Sequence, residues 1–348
     1  MAKEKLLIWG GHREQLSLKN LNTHASVSAY FLTKRLSQYY NIVNVTNMHH
    51  PEELLSHIDA KVMLSTFQKG FTSRIVEKGK LDLFMEIREN FKGKICSIVD
   101  GISKKMKYYE DILFTVLPPP ILPVRKVVAR RCFNRNIKIT RMGWCAEPSE
   151  CYPLPVPHDQ INIFVDHPVY SSGSPDCTLD YYCAFRDISQ KYPKLKLNIF
   201  HQNNQGVTKW DLNSRIGEIN YVRQNRVPWK DIIKYYQTTH IFCVTHSESA
   251  GLAVIEAAMC GARIYIPAPL RIQPGQFFGP FIRKKLMSDG ISFTTLKYNY
   301  FGGDLSNRIV KAFENDMRNG FDRDRIHQRL DKTNSWEIAA RRISRTLA

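Results

Sequence analysis

The sequence predicts an α/β protein of two doubly wound domains, residues 1–152 and 153–330, followed by a closing helix over 331–348. Three observations carry that expectation. Both halves alternate short apolar runs with segments of helical periodicity, as parallel sheets covered on both faces require. A stretch holding Pro148, Pro153, Pro155 and Pro157 separates the two series and reads as an interdomain linker over 146–160. The length, 348 residues, suits two domains.

In the first half, Lys5–Gly10 (KLLIWG) reads as a strand and Thr23–Tyr39 as a helix with apolar residues at helical spacing. A strand at Ile42–Val45, an amphipathic piece at Pro51–Ile58, a strand at Lys61–Thr66, a helix near Ser73–Phe91 and a strand at Lys94–Val99 follow. Gly10 and Gly11 after the first strand would let a phosphate or sugar approach the backbone closely, with His12 beside them. Asp100 follows a buried strand, where an active-site carboxylate can sit; with Gly101 it equally makes a turn.

The charge is unusual: 50 Lys and Arg against 32 Asp and Glu, a formal net charge of +18. Folding gains nothing from such an excess, and self-repulsion opposes it. It points to a polyanionic partner, either nucleic acid or an anionic membrane surface. The excess concentrates between Lys104 and Arg141, where Lys104, Lys105, Arg130, Arg131 and Arg135 are candidate acceptor contacts and interleaved aromatics such as Tyr108 and Phe133 are available either to stack on bases or to anchor the segment to the core. The opening MAKEKLLIWGG is a charged lead into a strand, and no apolar run has the length to span a bilayer, so a cytoplasmic protein is expected. Eight scattered cysteines lack the close pairs of a zinc site and are expected as reduced thiols, Cys243 and Cys260 among core residues. His49-His50 has no third ligand at a suitable spacing, so no metal is expected.

The second series runs through a strand at Ile161–Val165, a helix at Thr178–Lys191, a strand at Leu195–Phe200 and a helix opened by Val227-Pro228-Trp229. It then reaches IFCVTHSESAGLAVIEAAMCGARIYIP, residues 241–267. This parses as a buried strand, a polar loop, a helix over Leu252–Met259 and a second strand. Free N–H groups at the start of that helix would welcome a diphosphate, which makes Ser249, Ala250, Gly251 and Leu252 donor-binding candidates. Glu248 in the loop can accept bonds from sugar hydroxyls, and Glu256 on the helix can take a ribose diol. The plainer alternative has Glu248 as a helix-dipole partner and Glu256 on a solvated face.

The spacing Glu248 to Glu256, the preceding VPWKDIIKYYQTTH helix and the late Ser335-Trp336-Glu337 together resemble the donor-binding core of the family-four glycosyltransferases. The resemblance is specific over 227–267 and 335–347 and architectural elsewhere. It implies a GT-B fold, two doubly wound Rossmann-like domains with a C-terminal helix crossing back to the first. The first domain would then bind the acceptor and the second the nucleotide sugar. It also implies a retaining transferase with a nucleoside diphosphate sugar as donor and no required cofactor, Glu248 facing the sugar and Glu256 the ribose. If the reaction inverts instead, Asp100 is the candidate base. The family's Arg and Lys at the diphosphate are missing from 166–173, so Ser171 and Ser172 as an anion-binding nest, or Lys209 or Arg215, would take their place. The expected acceptor is a hydroxylated base in DNA. The alternatives are a glycolipid or polysaccharide at a membrane surface, or an inactive relative that binds nucleic acid.

Overall fold

In the computed structural model the described residues are 3–9, 21, 24–45, 51–66, 81–99, 109–116, 137–166, 177–202, 215–216, 219–224, 227–245, 252–269, 291, 293–298 and 304–348. They form two compact units, Met1–Cys145 with Asn334–Ala348, and Ala146–Thr333.

The first unit is built on six strands: β1 (Lys5–Trp9), β2 (Asn41–Val45), β3 (Val62–Ser65), β4 (Lys94–Val99), β5 (Ile112–Thr115) and β6 (Lys138–Arg141). All pair in parallel, in the order β2-β1-β3-β4-β5-β6. Leu6 to Trp9 and the whole of β5 are buried, the continuous apolar run expected where a strand is covered on both faces. Helices α1 (His24–Leu36) and α2 (Leu81–Asn90) accompany the sheet. Arg88 of α2 donates to both oxygens of Asp111, at 2.6 and 2.5 Å, and Asp111 Oδ2 also accepts from the Ile95 amide at 2.8 Å. That fork ties α2 to the start of β5. Both β5 and β6 lie inside the stretch whose charge had been its most legible feature. Ile112–Thr115 is only four residues long, and β6 is a partly exposed edge strand, so neither stands out as a period-two pattern.

The second unit carries β7 (Gln160–Val165), β8 (Lys196–Gln202), β9 (Arg215–Ile216), β10 (Ile219–Gln224), β11 (Ile241–Cys243), β12 (Arg263–Pro269) and β13 (Phe293–Tyr298). Its helices are α3 (Thr178–Lys191), α4 (Trp229–Thr238), α5 (Leu252–Met259), α6 (Leu305–Asn319) and α7 (Arg323–Asn334). Apart from the antiparallel edge pair β9 and β10, the strands are parallel, in the order β13-β12-β11-β7-β8-β10-β9. Read from β10 to β13, this is the doubly wound order of dinucleotide-binding domains, and the chain reverses direction between β7 and β11. On one face Ile163, Val165, Ile199 and Cys243 pack with Tyr181 and Phe185 of α3 and Phe313 of α6. On the other, Phe164 stacks on Phe242 at 5.3 Å and meets Tyr236 of α4 edge-on at 4.8 Å. The proline-rich stretch is held to this unit: Gln237 donates to Glu150 O at 2.9 Å and accepts from the Leu154 amide at 2.7 Å.

The closing helix α8 (Trp336–Leu347) starts at Ser335, whose hydroxyl accepts from the Ile338 amide, and buries Trp336, Ala339, Ala340, Ile343 and Leu347 along one stripe. It belongs to the first unit. Tyr39 OH donates to Glu337 Oε1 at 3.1 Å, Arg342 Nη1 to Met142 O at 2.7 Å, and Lys94 Nζ to Leu347 O at 2.6 Å. This is the return of the chain to the first domain that the resemblance implied. Among the described residues no helix is long and apolar enough to cross a membrane.

Candidate functional site

Ligands of a doubly wound sheet sit outside the carboxyl ends of its strands, at the point where strand order reverses. In the second unit that point lies between β7 and β11, and the next helix along the chain from β11 is α5. Several contacts fix the strand ends there. Asp166 N donates to Cys243 O at 3.0 Å and Thr245 Oγ1 to Asp166 O at 3.3 Å. Tyr181 OH reaches Val244 O at 3.2 Å and Tyr265 O at 3.3 Å. On the neighbouring strand His201, buried near the carboxyl end of β8, shares a 2.5 Å hydrogen bond through Nδ1 with Tyr182 OH.

Helix α5, LAVIEAAM, is buried from Val254 to Met259, as an apolar composition on every side demands. Glu256 lies in the middle of it, 3% exposed. The solvated face considered for this residue is therefore corrected: it is a core position. Trp229, the first residue of α4 and itself buried, donates from Nε1 to Glu256 Oε1 at 2.8 Å. No other described residue donates to this carboxyl group. Burial pushes the Glu256 pKa from 4.5 up to about 8, and the indole N–H, which favours the ionised form, offsets only part of that. Tyr236 and Cys151 share the surroundings, neither of them a cation. At neutral pH the group is mostly a neutral carboxyl, able both to donate and to accept.

The far ends of α4 and α5 meet at one residue. Arg323 donates to Leu154 O at 2.7 Å, to Cys260 O at 3.2 Å and to Gln237 O. A guanidinium thus serves carbonyls at two helix C-termini, where orphan acceptors and the negative ends of the dipoles gather. Gly261 makes the approach possible. Its φ of 88° places it in the left-handed cap position, with Gly261 N bonded to Ala258 O and Ala262 N to Ala257 O. A Cβ there would lie 2.6 Å from Arg323 O. Beside Arg323, His240 is held down to about 4 by burial and then by the guanidinium charge, so it stays neutral and accepts at Nδ1 from the Asn162 amide at 3.1 Å.

Of the site residues singled out from the sequence, Glu256 and Leu252, four positions apart on α5, and Arg215, at the start of β9, are described. Glu248, Ser249, Ala250, Gly251, Gly10, Gly11, His12, Asp100, Ser171, Ser172, Lys209 and the basic set Lys104, Lys105, Arg130, Arg131 and Arg135 lie outside the described residues. Among the described residues no cluster of His, Cys, Asp and Glu could hold a metal ion. Trp229, His201 and Arg323 were not singled out for the site. Trp229 was legible as an apolar helix position, one of the stripe Trp229, Ile232, Ile233, Tyr236, but the partner of its N–H was not.

Two parallel doubly wound sheets, with the last helix returned to the first, define the GT-B fold of nucleotide-sugar glycosyltransferases. No protein-family model matches the chain, and no curated protein matches it in sequence. Solved structures do. A putative UDP-N-acetylglucosamine 2-epimerase from Listeria monocytogenes is similar with a TM-score of 0.57 and 11% identity, over 98% of this chain and 95% of that one. Trehalose-6-phosphate from E. coli bound with UDP-2-fluoro glucose is similar with a TM-score of 0.55 and 10% identity, over 99% of both chains. A lipopolysaccharide outer core galactosyltransferase in its apo form is similar with a TM-score of 0.53 and 9% identity, over 99% of both chains.

Proposed function

We propose that the protein is a glycosyltransferase that takes its sugar from a nucleoside diphosphate sugar bound by the second unit. The observation that carries this reading is Glu256: a carboxyl group buried and held by one hydrogen bond among the described residues, in the helix that follows the switch-point strand, eight residues after Glu248. Holding a carboxyl group at a buried helix position is costly unless polar partners use it, and a ribose hydroxyl is the partner that the resemblance implies for it. Glu248 then faces the sugar, and the amides of Ser249, Ala250, Gly251 and Leu252 receive the diphosphate with Ser171, Ser172 or Lys209; Gly10, Gly11 and His12 are candidate donor contacts on the sequence alone. Catalysis rests on stabilising the departing diphosphate and the cationic sugar by oriented dipoles. Retention is the outcome the motif favours, and Asp100 serves as base if the reaction inverts.

The acceptor is polyanionic on the strength of the +18 charge. A hydroxylated base in DNA fits best, extruded from the duplex and held by Lys104, Lys105, Arg130, Arg131 and Arg135. The test is transfer from a panel of labelled nucleotide sugars to hydroxymethylated DNA, plain DNA and a lipid extract. Label on hydroxymethylated DNA alone supports the whole reading. Label in lipid moves the acceptor to the membrane surface, and an epimerised donor without transfer replaces the reaction. No turnover of any donor leaves a binding protein.

A further inference from the structure

Glu256 has one polar partner among the described residues that favours its charged form, the Trp229 indole, and the two come from different helices. Both are buried, Glu256 at 3% and Trp229 at 6% exposure, so neither side chain can trade this bond for water. An indole has a single N–H and no acceptor, which makes the contact one-sided: Oε1 is committed to Trp229, and Oε2 takes no donor among the described residues. The helix that carries Trp229 is itself fixed. Ile232, Ile233 and Tyr236 bury its inner face, and Arg323 binds the carbonyls where α4 and α5 end. The chain therefore sets the Glu256 carboxyl group from both ends of the α4–α5 pair, at the indole and at the guanidinium.

We propose that Trp229 is a positioning residue of the donor site, its indole N–H orienting Glu256 so that Oε2 alone is presented to a hydroxyl of the bound nucleotide. This rests on the reading of Glu256 as a nucleotide contact. In this role Trp229 acts through the carboxyl group. The groups recorded against Glu256 besides Trp229, namely Cys151 and Tyr236, carry no positive charge to take over that task.

The test is equilibrium binding of UDP, GDP, ADP, CDP and dTDP to the full chain by calorimetry, followed by a cycle of Trp229→Phe, Glu256→Ala and the double variant with the tightest of them. Glu256→Ala is expected to weaken binding by about tenfold or more, the worth of one hydrogen bond to a buried group, and Trp229→Phe by about tenfold. The double variant should bind no more weakly than Glu256→Ala alone, because the indole has nothing left to orient. Additive losses, or a Trp229→Phe variant that binds like wild type, overturn the positioning role while leaving Glu256 in the site. No binding by any of the five, or a Glu256→Ala variant that binds like wild type, removes the donor-site reading and the proposal with it. The Trp229 indole ¹H–¹⁵N resonance gives a second readout that needs no folded variant: it should shift when the nucleotide saturates the protein, and a resonance that stays fixed at saturation contradicts the proposal.

Discussion

Replacing Glu256 with glutamine isolates the cost of a carboxyl group in the core of the second unit. Glutamine keeps an oxygen for the Trp229 indole and cannot ionise. In wild type the folded pKa stands at about 8 against 4.5 for the unfolded chain, so the native state keeps a proton that the unfolded state gives up across that window. The group's contribution is therefore complete below about pH 4.5, falls as pH rises, and levels off above about pH 8. The span, 8 less 4.5, corresponds to about 5 kcal/mol at roughly 1.4 kcal/mol per pH unit. Because Glu256 is only 3% exposed, solvent screening reduces that figure little. Urea unfolding of both proteins at pH 5 and pH 9 is the assay. At pH 5 they should agree within about 1 kcal/mol, and at pH 9 Glu256→Gln should be the more stable by about 4 kcal/mol. Equal stabilities at pH 9, with unchanged m-values, would refute an enclosed, proton-retaining carboxyl group.

Three further outcomes follow from named contacts. Gly261→Ala forces a side chain into a left-handed cap position and against Arg323 O, and should cost about 2 kcal/mol or more in urea midpoint at constant m. Arg323→Met takes the guanidinium from three carbonyls, of which Gln237 O keeps the Leu154 amide, and should destabilise by about 3 kcal/mol; the same change should raise the His240 pKa above about 4 without restoring its ordinary value, since burial remains, and NMR titration reads this directly. Deleting residues 335–348 uncovers α1 and removes the partners of Tyr39, Met142 and Lys94, so hydrogen exchange should speed up in the first unit and leave β7, β8 and β11 protected.

Much of the second unit was legible because its elements are long or apolar. Thr178–Lys191 and Leu252–Met259 emerge with the bounds that periodicity and composition suggested, and Trp229, Ile232, Ile233 and Tyr236 show the spacing of a one-sided helix. Strands β5 and β6 were hidden, one by its brevity and one by its exposure at a sheet edge amid lysines and arginines. At the site, the Glu256 position on its helix was readable while its enclosure was not: burial of a glutamate depends on Trp229 and Cys151, 27 and 105 residues away in sequence, which no local pattern records. Arg323 was hidden for the same reason, since its partners are backbone carbonyls that every residue carries. The net charge was silent about the fold.

The central claim is that the second unit grips a nucleoside diphosphate through Glu256. Thermal unfolding of wild type and Glu256→Ala with and without millimolar UDP, GDP, ADP, CDP or dTDP tests it most directly, because a ligand that binds only the folded chain must raise the melting temperature. At least one nucleotide should raise the wild-type midpoint, and the rise should shrink or vanish in Glu256→Ala. A wild type indifferent to all five, or equal rises in the two proteins, would contradict the account.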